Sequence, residues 1–96
     1  MTNTIDETAF RAELARRGCA EPVLVVWEPG RASAEHAHEF TARGLVLDGG
    51  YVLTTAAGDR ALGPGDDFEV PAGTPHRETA GGAGTRILSG RLAAAG

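Results

Sequence analysis

Short apolar runs separated by glycine and proline fill the chain after its first twenty residues. The run Val-Leu-Val-Val-Trp at 23–27 is β-branched and apolar, which predicts a strand over 22–28. The same kind of pattern predicts strands over 36–40, 43–47, 51–55, 60–62, 68–70, 76–79 and 85–92. Turn residues separate these runs at 29–30, 48–50, 57–59, 63–66, 71–73 and 81–84. Many short strands at close spacing predict an antiparallel all-β fold, either a sandwich or a barrel.

The first part of the chain has a helical period instead. Phe10 and Leu14 lie one turn apart and form a single narrow apolar stripe. Asp6 is a good N-cap residue, and Gly18 is a typical helix stop. These signals predict one short helix over about 5–17. Because so short a helix is not stable alone, we expect it to pack on the outside of the β-structure.

Composition and charge exclude several classes of function. A chain of 96 residues makes a single domain, here 1–96, with the predicted strands over about 22–92. The formal net charge is −4 and no basic run occurs, so we expect no nucleic-acid partner. All nine basic residues are arginine. The absence of lysine excludes Schiff-base lysine chemistry and a Walker-type phosphate loop.

The single cysteine and the first residues bear on localisation. One cysteine, Cys19, excludes an intrachain disulfide and suits a reducing compartment. The first residues lack the basic and apolar regions of a signal peptide. No apolar run approaches the roughly 18 residues of a membrane span. We therefore expect a cytoplasmic protein without a membrane partner.

The three histidines of the chain are its clearest candidate chemistry. His36 and His38 are two residues apart, so on a strand they would share one face. His76 ends the string Gly-Asp-Asp-Phe-Glu-Val-Pro-Ala-Gly-Thr-Pro-His at 65–76. Two imidazoles on one face and a third from a distant strand favour a metal site, since imidazole suits zinc, iron and nickel. The alternative is three hydrogen-bonded histidines in a barrel mouth without metal.

These segments resemble the two motifs of the cupin family, namely a glycine six residues before H-x-H, and G-x5-P-x-G-x2-H. The resemblance covers roughly 27–79. It implies a cupin-like double-stranded β-helix, also called a jelly-roll barrel, to which the short N-terminal helix is added. It also implies that His36, His38 and His76 hold a divalent transition metal, namely zinc, iron, nickel or manganese. Cupins are often dimers, so the resemblance further implies a homodimer that binds a small-molecule ligand.

One ligand position departs from the family pattern. The family has a glutamate four or five residues after the second histidine of the pair, and this chain has Ala42 and Arg43 there. If Ala42 faces inward, the site has three neutral histidines and open coordination positions, a competent set for a catalytic metal. If Arg43 faces inward, its charge repels a cation and the cavity binds a carboxylate or phosphate instead.

Other carboxylates near the histidines are possible substitutes. Glu35 and Glu39 flank the histidine pair, so strand alternation sends them to the opposite face and into solvent. Glu78 shares the parity of His76 and is expected to reach the barrel interior. We interpret Glu78 as the one candidate catalytic residue, either a partner of the metal ligands or a proton carrier. The alternative is a rim carboxylate paired with an arginine.

Aromatic residues and one arginine are candidates for the ligand cavity. Phe40 and Tyr51 are expected to contact the substrate together with Arg43, and core packing is the alternative for both aromatics. Leu45, Val46 and Leu47 leave one strand apolar on both faces. One of these faces should fill the barrel, and the helix or a second subunit should cover the other.

Two functional hypotheses follow from these observations. The first is a small cupin with a three-histidine metal site; if catalytic, it is an enzyme of the dioxygenase or isomerase kind acting on a small organic substrate. The alternative is a non-catalytic module that binds a small ligand or regulates a partner without metal. The sequence does not identify the substrate, because the family performs many reactions on one fold.

Overall fold

A computed structural model of the chain describes residues 6–19 and 21–93. Within these ranges lie the helix α1 (Glu7–Arg16) and the strands β1 (Val23–Trp27), β2 (Thr41–Thr55), β3 (Gly58–Leu62), β4 (Asp67–Val70) and β5 (Arg77–Leu92). The strands form one antiparallel sheet in the order β1-β5-β2-β3, and β4 pairs with the first part of β2. The predicted all-β class with one short helix is confirmed.

Helix α1 begins and packs as its sequence indicates. The Asp6 carboxylate accepts a hydrogen bond of 2.8 Å from the backbone nitrogen of Ala9, which is the geometry of an N-cap. Phe10 and Leu14 are fully buried and pack with three leucines of β2 and β5, namely Leu45, Leu88 and Leu92. We call these five residues the helix-side cluster. Residue 5, where the predicted helix starts, lies outside the described ranges.

Strands β2 and β5 are longer than the sequence predicts. Separate strands over 43–47 and 51–55, with a turn at 48–50, were the expectation, yet 41–55 form one strand. The predicted turn at 81–84 is likewise wrong, because these residues lie inside β5. The pairing of β2 with β5 continues through register shifts between Val46 and Asp48 and between Gly49 and Tyr51. Bulges of this kind absorb extra residues without ending the ladder.

The bulges also change which residues of β2 face inward. Before them the even-numbered Ala42 lines the interior, and after them the odd-numbered Tyr51 lines the same cavity. Leu45 and Leu47 point to the other side and contact the helix-side cluster. The expectation that the helix covers one apolar face of this strand is therefore confirmed.

The predicted strand over 36–40 is wrong. Among the described residues, the one bridge in this segment is the isolated pair of His36 with His76, and a second isolated bridge joins Ala32, ahead of the segment, to Thr79. Nearby, Gly73 has φ +82° and donates a hydrogen bond of 2.8 Å to the carbonyl of His38. Glycine adopts this left-handed conformation without steric cost, so it can close the turn against the histidine segment.

The sheet curls so that one face encloses a second apolar cluster. Its buried members come from all five strands and include Trp27, Val46, Tyr51, Phe68 and Ile87. We call this the cavity-side cluster, since several of its members line the cavity described below. Across residues 6–19 and 21–93, no helix is long and apolar enough to cross a membrane.

Strand β1 is an edge of the sheet and exposes apolar side chains. Val23 and Val26 are each 62% exposed, and Leu24 is 47% exposed. In the part of the chain that the structure describes, β1 pairs with β5 alone. The expected homodimer stays a prediction.

Candidate metal centre

The three histidines meet at one point, where their two sequence segments join. His36 and His76 form an antiparallel bridge, donating to each other's carbonyls at 3.0 and 2.9 Å. Their ring centroids are 4.3 Å apart. The ring of His38 lies 4.9 Å from that of His36 and 5.2 Å from that of His76. The predicted convergence of the three imidazoles is thus present, although the segment that carries His36 and His38 is not a strand.

Backbone carbonyls orient two of the imidazoles. Nδ1 of His36 lies 2.8 Å from the carbonyl oxygen of Ala34, and Nδ1 of His76 lies 2.9 Å from that of Thr74. A carbonyl oxygen only accepts, so Nδ1 carries the hydrogen in both rings. In the neutral ring the lone pair is then on Nε2. Partners of this kind fix the tautomer and ring direction of metal-binding histidines.

His38 is held between an aromatic ring and the other two histidines. Its ring stacks on Phe40 with centroids 4.5 Å apart and an interplanar angle of 15°. Burial lowers the pKa of His38 below its usual 6.5, and the charges of His36 and His76 lower it further. The imidazole is therefore neutral at pH 7, which is the state that a metal ligand requires.

Glu78 supplies a carboxylate to the same point. Its Oε1 lies 3.1 Å from Nε2 of His76 and 3.8 Å from Nε2 of His36. One donor atom from each of the three histidines and from Glu78 can be chosen so that all lie within 4.8 Å of one another. The backbone of Glu78 is fixed by Ser33, whose Oγ accepts from the Glu78 nitrogen at 3.0 Å. The inward direction predicted for Glu78 agrees with this geometry.

These four groups fit a divalent transition metal. Nε2 of His76 is buried and has no hydrogen-bond partner within the described ranges, despite its closeness to Glu78. Its lone pair and a carboxylate oxygen thus face each other, an arrangement that a shared cation stabilises. Ligand atoms about 2.0–2.2 Å from one ion are at most about 4.4 Å apart. The observed limit of 4.8 Å needs only a small contraction.

Tyr51 lies beside Glu78 and is almost fully buried, with 3% of its surface exposed. Burial raises the pKa of the phenol, and the negative charge of Glu78 and a hydrogen bond to it raise that pKa further. The phenol therefore stays protonated. Phe68 stacks on the Tyr51 ring with centroids 5.4 Å apart. Gly44 makes room for Phe68, because a Cβ at this position would overlap the Phe68 ring.

The two residues at the family's glutamate position face opposite ways. Ala42 lines the cavity, whereas Arg43 is 5% exposed and points toward the helix. The Arg43 guanidinium donates to both carboxylate oxygens of Glu13 at 2.8 and 2.9 Å and to Asp67 at 2.6 Å. The role expected for Arg43 in substrate binding is thus corrected, since its donors are engaged on the far side of β2.

The cavity next to the histidines has a volume of about 360 Å³. Phe40 and Tyr51 line it, while their contact with a substrate stays a prediction, and Glu78 is the one acidic side chain in the lining. Two further lining residues, Arg31 and Arg91, were missed by the sequence analysis. Arg31 occupies one of the variable positions of the first motif, and Arg91 lies outside both motifs. Arg91 could have been found only from strand alternation, because it shares a face with Ile87 and Ser89 on the strand predicted over 85–92.

A family model described as a cupin domain matches residues 23–92 of the chain. This range contains all three histidines and Glu78, and it covers more than half of the sequence. A comparison with curated proteins gave no match.

Solved structures resemble the fold. KdgF from Halomonas sp. is 27% identical with a TM-score of 0.64, covering 74% of this chain and 68% of that one. A cupin superfamily protein from Desulfitobacterium hafniense DCB-2 is 26% identical with a TM-score of 0.64, covering 73% and 63%. The DMSP lyase DddQ from Ruegeria pomeroyi DSS-3 is 24% identical with a TM-score of 0.66, covering 72% and 36%, a likeness that shows the fold alone. The chain thus spans less than two thirds of two of these proteins.

Proposed function

This chain belongs to the cupin family, and we propose that it is a small metal-binding cupin that acts on a small organic molecule. In this proposal His36, His38 and His76 hold a divalent transition metal, and Glu78 is the fourth ligand. The carboxylate that the family takes from the segment after the histidine pair comes here from β5. The cavity lined by His36, His38 and Glu78 would receive the substrate beside the ion.

One observation carries the proposal, namely the buried Nε2 of His76 opposite Glu78. A buried nitrogen without a hydrogen-bond partner costs roughly 1–3 kcal/mol. The atom lies 3.1 Å from a carboxylate oxygen and makes no hydrogen bond to it. A cation between the two groups removes this cost. The Nδ1 hydrogen bonds of His36 and His76 support the same conclusion, because they direct both Nε2 atoms toward one point.

The residues around the site have separable tasks in catalysis. A bound divalent ion would supply Lewis-acid or redox chemistry. Tyr51 keeps a protonated, buried phenol beside the Glu78 carboxylate. The apolar wall, which includes Val25, Phe68 and Ile87, excludes water from the bound substrate. A dioxygenase- or isomerase-like reaction suits this arrangement.

A second candidate function is a binding module that does not turn over its ligand. The observation in its favour is the cavity itself, which has two arginines in its lining beside the histidines. In that case a ligand stabilises the protein by mass action and leaves the cavity chemically unchanged. Product formation by the metal-loaded protein distinguishes the two functions.

Metal content of untagged protein, purified without chelators, tests the proposed site. We expect near-stoichiometric zinc, iron, nickel or manganese by mass spectrometry. A His36→Ala/His38→Ala double variant should lose the metal. The matched control is Glu39→Gln, which changes an exposed neighbour of the pair and should retain it. Wild-type protein that stays metal-free after incubation with each of the four ions would refute the proposed metal site.

A further inference from the structure

Two arginines that are not among the defining residues of either motif line the cavity beside the candidate metal centre. The guanidinium carbon of Arg31 lies 4.8 Å from the ring centroid of Trp27, and that of Arg91 lies 4.6 Å from the ring centroid of Phe40. All four residues line the cavity. Cation–π contacts of this kind hold an arginine in place without using its N–H donors.

The donors of both guanidiniums are available to a ligand. Across residues 6–19 and 21–93, neither side chain makes a hydrogen bond or an ion pair, in contrast to Arg17, Arg43 and Arg86. Glu78 is the one acidic residue in the cavity lining. Two positive charges therefore accompany one negative charge around the cavity, although the whole chain has a net charge of −4. This local excess of positive charge favours an anion.

Strand pairing brings one of these arginines to the position where the chain departs from its family. Ala42 and Arg91 are direct partners in the β2–β5 ladder. Both side chains line the cavity. The methyl group of Ala42 is smaller than the side chain of a glutamate, and its partner across the ladder is an arginine. The local charge is thus reversed relative to the family pattern, so this part of the cavity suits a negatively charged group of the ligand.

We propose that Arg31 and Arg91 bind the carboxylate of a small organic acid. The planar guanidinium matches a carboxylate through paired N–H donors. Val25, Phe68 and Ile87 offer an apolar wall for the hydrocarbon part of the acid. A cavity of about 360 Å³ admits only a small acid. This inference depends on one part of the proposed function, namely that this cavity is where the ligand binds.

Titration with hexanoate and with its neutral amide, hexanamide, tests this inference. The two probes have the same hydrocarbon chain and differ in charge. Trp27 is the single tryptophan of the sequence and lines the cavity, so its fluorescence reports occupancy. We expect the wild type to bind hexanoate at least about tenfold more tightly than hexanamide, as the loss of charge-assisted hydrogen bonds implies.

Substitutions then assign the preference to the two arginines. Arg31→Gln and Arg91→Gln should each weaken hexanoate binding by about tenfold and leave hexanamide binding nearly unchanged. Arg60→Gln is the matched control, because Arg60 is exposed on β3 and does not line this cavity. Circular dichroism establishes that all variants are folded.

Metal content measured on the same samples separates this inference from the proposed function. Hexanoate binding that is no tighter than hexanamide binding, or that survives in an Arg31→Gln/Arg91→Gln double variant, overturns the inference even when metal is present. A metal-free wild type overturns the proposed metal site. A loss of hexanoate affinity in the arginine variants of that metal-free protein would still support the anion site.

Discussion

His36 and His76 are joined by two reciprocal backbone hydrogen bonds, at 3.0 and 2.9 Å. The two residues are far apart in sequence and belong to different motifs. In an antiparallel pair that exchanges both hydrogen bonds, the two side chains lie on the same side of the ladder. The backbone therefore brings together two imidazoles of the proposed metal site, which is the preorganisation that a precise site requires.

Glu78→Gln should weaken metal binding by at least about tenfold, since a neutral amide replaces the carboxylate that neighbours two Nε2 atoms. Zinc affinity, measured by competition with a chromophoric chelator, checks this prediction. Glu35→Gln is the control, because this exposed residue precedes His36 and is not part of the group of four. Equal affinities in the two variants would show that the three histidines bind the ion without Glu78.

Gly44→Ala should destabilise the fold by about 1–3 kcal/mol, because the added methyl group overlaps the Phe68 ring. The displaced ring would also disturb Tyr51, on which it stacks, and through it Glu78. Urea unfolding gives the free energy of unfolding. Gly82→Ala is the matched control, since a Cβ at this exposed position of β5 meets nothing within 4 Å. A Gly44→Ala variant as stable as Gly82→Ala would contradict the tight packing of Phe68.

Arg43→Ala should lower the free energy of unfolding by about 2–4 kcal/mol and leave metal content unchanged. The substitution removes a 5% exposed cation from Glu13 and Asp67, and a carboxylate left without its partner at a half-buried site is costly. Arg86→Ala removes the exposed ion pair with Asp48 and should cost less than about 1 kcal/mol. Loss of metal in folded Arg43→Ala would instead connect this residue to the cavity.

Acid should weaken the contact between α1 and the sheet. The hydrogen bond from Arg43 lowers the pKa of Glu13 below its usual 4.5, against an opposing effect of burial. Arg17 likewise lowers the pKa of Glu69. A depressed carboxyl pKa contributes stability that is fully present above the unfolded-state pKa and is lost as pH falls through the folded-state pKa. The loss should therefore occur below about pH 4.5.

Urea unfolding of wild type and Glu13→Gln between pH 7 and pH 3 checks the acid prediction. The variant should be less stable by about 1–2 kcal/mol at pH 7, and the two curves should converge at low pH. Glu7→Gln alters an exposed ion pair with Arg11 on the same helix. Its free energy of unfolding should change with pH nearly as that of the wild type does. A constant gap between wild type and Glu13→Gln down to pH 3 would argue against the shifted pKa.

Local signals in the sequence were enough for the fold class and the helix. The Asp6 N-cap and the stripe of Phe10 and Leu14 act within one or two turns, so they predict α1 nearly to its ends. Close spacing of apolar runs and glycine-rich turns likewise predicts an antiparallel sheet. The extent of β2 and β5 was not predictable in this way, because whether a glycine pair ends a strand or sits in a bulge depends on the partner strand.

The candidate site was only partly predictable for the same reason. The resemblance to the two cupin motifs predicted the convergence of the histidines, and parity predicted the direction of Glu78 from that of His76. Parity could not choose between Ala42 and Arg43 as the inward residue, since the choice depends on which face α1 covers. The pairing of Ala42 with Arg91 depends on strand register, which no local pattern contains.

The helix-side and cavity-side clusters lie on opposite faces of the same two long strands. Arg43 and Leu45 stabilise the fold from one face, whereas Ala42 and Arg91 shape the cavity on the other. Relatives with this arrangement can therefore change their cavity residues, and so their ligand specificity, while the helix-covered face keeps the protein folded. Divergence among relatives should therefore concentrate on the alternate positions that face the cavity.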